Sequence, residues 1–272
     1  MDSLPMPQLT AFDAVTQLIA ATIYLAVGTA GLAQAPRDER TRVFGALGIA
    51  HAVGFTIPSA AWMLGVTNPG AYNRIPLGIT LAALSLGAVL MFHFSQVFPR
   101  RRPWIRGSGP QLPIAYVLIG PAVFLLVRWW PLTKEAFTTQ FGLVFILFGF
   151  PLLVLMGLVL PVASIVSFLR SLREQPKQTP AQMGGEPVDG RPLPDARPTI
   201  FGILVSQLAG GALSLLVLGP LSQAAPQSLA VTLVAMTVWM LGLLTPLAYA
   251  AGIWKYRALE IGVDASAEVQ AD

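Results

Sequence analysis

Seven apolar stretches, separated by short polar turns, organise this chain. They run approximately Thr10–Gln34, Val43–Gly65, Leu77–Phe98, Gln111–Trp130, Phe141–Arg170, Thr199–Ser222 and Leu229–Trp254. A bilayer core about 30 Å thick takes roughly 20 apolar residues as a helix, so each stretch is long enough to cross. The pattern predicts an all-α polytopic membrane protein, a seven-transmembrane-helix bundle over residues 10–254. An external N-terminal segment (1–9) precedes it and a cytoplasmic tail (255–272) follows. The fifth stretch, near 30 residues, would measure about 45 Å as a helix and is expected to project beyond the bilayer.

The direction of the spans follows from lysine and arginine. Arg37, Arg40 and Arg42 follow the first span; Arg100, Arg101, Arg102 and Arg106 the third; Arg170, Arg173, Lys177, Arg191 and Arg197 the fifth; Lys255 and Arg257 the seventh. Only Arg74, Arg128 and Lys134 fall on the other side, so 14 of the 17 basic residues share one face. This places the N-terminus outside and the C-terminus in the cytoplasm, in a bacterial inner membrane. The N-terminus, with Asp2 and Asp13 and no basic cluster, does not read as a signal peptide, and the first span is expected to be retained.

Composition supports the membrane reading: 54% of residues are hydrophobic, 11% are charged and mean hydropathy is +0.66, whereas soluble domains carry about 25% charged residues. The chain has no cysteine, which excludes disulfides, thiolate chemistry and cysteine-ligated metals. One polar segment is long. "EQPKQTPAQMGGEPVDGRPLPDARP", residues 174–198, has six prolines, three glycines and no aromatic residue, and reads as a disordered cytoplasmic linker between the fifth and sixth spans.

Polar groups at membrane depth are costly and mark candidate sites. His51 and His93 lie in the second and third spans. On adjacent antiparallel helices their depths would differ by about 5 Å. As imidazoles they are candidates for haem b or quinone binding. No carboxylate or thiol accompanies them as a further metal ligand, and no metal site is expected. The alternative is that each hydrogen-bonds within the bundle. Asp13, Trp62 and Arg128 lie toward the outer face and form a second candidate group, for a small anionic ligand. Arg100, Arg101, Arg102, Trp104, Arg106, Lys255 and Arg257 are expected to meet anionic lipid headgroups or a protein partner at the cytoplasmic face. One short loop against a membrane does not supply a nucleic-acid surface. Small residues spaced by four, Ser206–Gly210–Ser214 and Ala50–Gly54, predict close helix contacts. Prolines 58, 121, 151, 161, 220 and 246 fall within the spans, either tolerated by neighbouring helices or acting as hinges. Nucleotide-binding and hydrolase motifs are absent, so the chain is not expected to be an enzyme, and no lysine stands at mid-membrane for a retinal.

Two helix ends carry a family resemblance. "HFSQVFPRRRPW", leaving the third span, resembles the "hF-x-x-x-FP-x-x-RP" exit in the N-terminal seven-helix sensor domains of bacterial histidine kinases. "AYAAGIWKYRALEIGVD", leaving the seventh, is similar to their "YA-x-x-x-YRL-x-D-x-D" segment, with Ala258 where the family has Leu and Glu260 where it has Asp. The resemblance covers residues 10–264. It implies a sensor-type bundle that changes shape on a cue. With eight residues after Asp264 and no kinase, its output would be a separate cytoplasmic or membrane partner. The second expectation is an accessory subunit of a larger membrane assembly, respiratory or photosynthetic; the third is the haem or quinone protein built on His51 and His93.

Overall fold

The structure is a computed structural model that describes residues 11–65, 74–99, 118–125, 149–174, 195–224 and 228–254. Among them every regular element is helical. Three helices come first: α1 (Ala11–Gln34), α2 (Glu39–Met63) and α3 (Arg74–Val97). Residues 118–125 form α4. α5 runs through Phe150–Val154, a π-helical turn at Leu155–Val159, and Leu160–Glu174. α6 runs through Arg197–Leu213, a second π-helical turn at Ser214–Leu218, and Gly219–Ala224. α7 is Leu229–Trp254. Six of these are long and apolar enough to cross a membrane. In hydrocarbon every backbone N–H and C=O needs a partner within the chain, and a helix supplies one locally.

Most of the fourth predicted span, with Arg128, lies outside the described residues, as do the bulk of the 174–198 linker and the basic residues after Pro99 and Trp254. Some boundaries differ from the hydropathy reading. α2 starts at Glu39 rather than Val43 because Asp38 caps it: its carboxylate accepts from the Arg40 N–H at 2.8 Å. Residues 39–42, expected in a loop, form the first helical turn. α6 takes in Arg197 and Pro198 from the expected linker, with proline in the first turn, where its missing N–H costs nothing, and the Asp195 carboxylate accepting from Arg197 N–H at 2.9 Å. α5 continues to Glu174, four residues past its expected end.

The crossing helices pack in a closed ring in the order α1, α2, α3, α5, α6, α7 and back to α1. The α1–α2 contact is a backbone approach. A Cβ on Gly48 would stand 2.5 Å from the Tyr24 carbonyl oxygen, and one on Gly28 would stand 3.3 Å from the Gly45 Cα. Gly54 faces Leu84 of α3. Ser206 accepts from the Thr245 hydroxyl at 2.9 Å, and Gly210 faces Leu241, so this small-residue face joins α6 to α7. Ser214 falls in the second π-helical turn.

One apolar core gathers residues from α1, α2, α3, α5, α6 and α7, among them Phe44, Leu47, Phe94, Phe98, Phe168, Ile200, Ile203 and Tyr249. It lies at the end of the bundle that also carries Arg37, Arg42, Arg173 and Arg197, here termed the basic end. Toward the opposite end α6 and α7 are open: no residue from 229 to 244 is buried. Gly48→Ala forces α1 and α2 apart against a carbonyl that cannot rotate away. It is expected to cost about 1–3 kcal/mol, read as a lowered midpoint of thermal unfolding in detergent.

Candidate functional site

The two stretches that resemble a sensor-domain exit meet in space. Tyr249, from "AYAAGIW" on α7, is fully buried and stacks on Phe44 of α2 with ring centroids 3.7 Å apart. Phe94 and Phe98, from "HFSQVFP" on α3, turn their rings against it at 5.4 and 6.3 Å. Phe94 also meets Phe44 at 5.2 Å and Phe168 of α5 at 6.1 Å. On the α1 side, Tyr249 Cε1 would lie 3.4 Å from a Cβ on Gly31, so the phenol fills the space that glycine leaves. Such aromatic pairs add about 0.5–1.5 kcal/mol each beyond the area they bury.

A charged clamp closes this cluster. The Arg40 guanidinium donates from Nε to both Asp38 oxygens at 3.0 and 3.1 Å and from Nη2 to Oδ2 at 2.7 Å. Its Nη1 donates to the Pro99 carbonyl at 2.9 Å. Arg40 is buried, 8% exposed, while the Asp38 side chain keeps 21% exposure, so the pair is partly sheltered and only the bond to Pro99 is fully buried. A planar fork of donors suits this double task, which a lysine point charge does not. The Thr41 hydroxyl donates to the Ala35 and Asp38 carbonyls. The α1–α2 turn, the start of α2 and the exit of α3 are thereby tied together. One turn into the bundle, the Ser167 hydroxyl of α5 donates to the Ser95 carbonyl of α3 at 2.8 Å.

The two histidines occupy separate environments. His93 is buried, with Nε2 3.5 Å from Glu39 Oε1 in the first turn of α2. His51 stacks on Tyr24 at 4.6 Å with the rings 9° from parallel, meets Phe55 at 5.6 Å, and holds the Leu47 carbonyl through Nδ1 at 3.0 Å. Its ring packs where α3 has Gly87; a Cβ there would stand 2.7 Å from Cε1. Gly87 precedes His93 by six residues, about 9 Å along the helix. The imidazoles therefore do not face one space, and each is engaged within the bundle. Among the described residues no three histidine, aspartate or glutamate side chains gather as a metal site.

Toward the opposite end, the Ser59 hydroxyl of α2 donates to Gln17 Oε1 of α1 at 3.0 Å. Asp13 and Trp62, both half-buried, lie about one turn further out on these helices. Arg128, Arg100, Arg101, Arg102, Trp104, Arg106, Lys255 and Arg257 lie outside the described residues.

Sequence reasoning did not single out Arg40, Asp38 or Tyr249 as parts of one site. Tyr249 lies inside the α7 exit motif, and Arg40 reads from hydropathy as a loop cation. Signals were present: an aspartate two residues before an arginine at a helix start is a capping pattern. Comparisons of the chain with protein-family models, with curated proteins and with solved structures found no match.

Two outcomes follow. Arg40→Ala removes the charged hydrogen bonds to Asp38 and the Pro99 carbonyl and is expected to destabilise the bundle by about 1.5–3 kcal/mol. Arg40→Lys is expected to recover less than half of that loss, measured by thermal unfolding in detergent. Protein purified from cells supplied with haem precursors is expected to show no Soret absorption, since the separate engagement of His51 and His93 leaves no shared axial site.

Proposed function

We propose that this chain is a non-enzymatic seven-helix sensor-like module of a bacterial inner membrane, with its N-terminus outside and its basic end in the cytoplasm. A cue from outside or within the membrane shifts the helices, and the exits of α3 and α7 carry the shift to a cytoplasmic signalling partner. The observation that supports this most is the contact of Tyr249 with Phe94 and Phe98. The two stretches similar to the sensor-domain exits of histidine kinases pack as one unit, so a displacement of α7 is felt at the α3 exit. Arg40, through Pro99, extends the unit to the α1–α2 turn. The shift is a change in the populations of two bundle arrangements, biased by whichever cue binds one of them better.

A second reading, an accessory subunit of a larger membrane assembly, draws support from α7. Its outer two-thirds has no buried residue, and a neighbouring subunit would cover it as well as lipid does.

Gentle solubilisation with a short crosslinker, followed by identification of bound proteins, separates the two. The sensor reading expects a stoichiometric cytoplasmic signalling protein, crosslinked through lysines introduced near Trp254 and Pro99. A large respiratory or photosynthetic assembly would favour the subunit reading. Recovery without any protein partner would sink both.

A further inference from the structure

The glycines of α5, α6 and α7 divide by depth, apart from Gly219, whose Cβ would stand 3.5 Å from the Ser214 carbonyl of its own helix. Near the basic end they are contact glycines: a Cβ on Gly202 would stand 2.6 Å from the Ala248 Cβ, and one on Gly252 would run into Thr199. Farther out, a Cβ on Gly157, Gly211 or Gly242 would meet no described residue within 4 Å. Packing does not require glycine at these three places, yet each weakens its helix by the freedom it restores to the backbone.

The three lie at a common depth. Gly210 faces Leu241 across the α6–α7 contact, which puts Gly211 and Gly242 within a residue or two of one level. Gly242 accepts from the Tyr24 hydroxyl at 3.2 Å, and Tyr24 stacks on His51, which packs against Gly87 of α3. On α5, Ser167 is bonded to Ser95 of α3. Gly157 stands ten residues, about 15 Å, farther out. On α3, which runs parallel to α5, that is the level of residue 85, beside Gly87.

Both π-helical turns fall at or just outside this level. In α5 the Leu160 N–H reaches back to the Leu155 carbonyl, with Gly157 between them. In α6 the Gly219 N–H reaches the Ser214 carbonyl, three residues past Gly211. A π turn inserts one residue into the ladder and marks a local departure from the optimum. Beyond the level, α6 and α7 bury no described side chain, and from Pro151 to Gly157 of α5 Met156 is the one buried among the residues whose side chains are described. An apolar crevice opens there between α1 and α7, lined by Phe12, Thr16 and Ile19 on one side and Met236, Trp239 and Leu243 on the other.

We infer that Gly157, Gly211 and Gly242, with the two adjoining π turns, form a hinge belt across α5, α6 and α7. The outer parts of these three helices swing about it, while their inner parts stay locked in the aromatic core with α1, α2 and α3. The inference deepens the sensor reading by naming what moves. Its test uses the bundle alone, so its failure is distinguishable from failure to find a partner.

The chain has no cysteine, so introduced ones are unique labelling sites. Spin labels at Val15→Cys and Leu216→Cys report the outer half; labels at Arg42→Cys and Phe201→Cys report the basic end. Distance distributions would be recorded for the full chain in lipid nanodiscs. The outer pair is expected to be broad and the inner pair narrow. In the combined Gly157→Ala, Gly211→Ala and Gly242→Ala variant, each alanine lowers the population of bent states about two- to fivefold, the factor set by the helix-propensity gap. The outer distribution should collapse toward one peak, the inner stay unchanged, and the thermal midpoint rise. An outer pair as narrow as the inner one before substitution, an outer width that the alanines leave unchanged, or a midpoint that falls would each overturn the hinge.

Discussion

Helices that meet in hydrocarbon gain nothing from leaving it, because lipid tails are as apolar as leucine. What holds this bundle is therefore the closeness of its contacts and the polar pairs made where water is absent. The α1–α2 contact sets the rest. Gly28 and Gly48 bring one backbone against the other, close enough that a Cβ would strike the Tyr24 carbonyl. That approach places Tyr24 against His51, and it leaves Gly31 facing the ring of Tyr249. The aromatic core can form around Tyr249 only because α1 and α2 are already that near.

The charged clamp is subordinate to this packing but completes it. A buried ion pair does not by itself stabilise a fold, since the cost of removing both charges from water is of the order of what they return. The Arg40–Asp38 pair gains its value from the additional donor to Pro99, which turns a local pair at a helix start into a link between two chain segments 59 residues apart. It specifies where the α3 exit sits more than it strengthens the whole.

The spans were legible because each needs only length and apolar composition, and six of the seven expected stretches correspond to helices long enough to cross. The small-residue spacing at Ser206–Gly210 also found its partner helix, because four residues bring side chains back to one face. Three features were not legible, for distinct reasons. Glu39 to Arg42 looked like a loop because their charges lower hydropathy, whereas Asp38 capping and Arg40 pairing keep them helical. Gly28 and Gly48 carry no shared spacing, since a crossing point belongs to two helices and is written in neither. His51 and His93 looked like a pair because depth along a span can be counted, but the rotation of each helix about its axis cannot. That rotation turns His51 toward Tyr24 and leaves His93 beside Glu39.

A bundle held by contact rather than by hydrophobic expulsion is as rigid as its local fit, and here the fit changes along the membrane normal. At the basic end six helices share one core, and the aromatic rings of α2, α3, α5 and α7 meet one another within it. Farther out, α6 and α7 touch little of the protein, so lipid can replace helix contacts at small cost. The two regions respond differently to the same perturbation. If the hinge belt acts as proposed, the open half changes shape while the packed half moves as a body. A signal that enters by rearranging the open half can therefore reach the helix exits only as a displacement of the whole core. That is the kind of output that tying the α3 and α7 exits together would preserve.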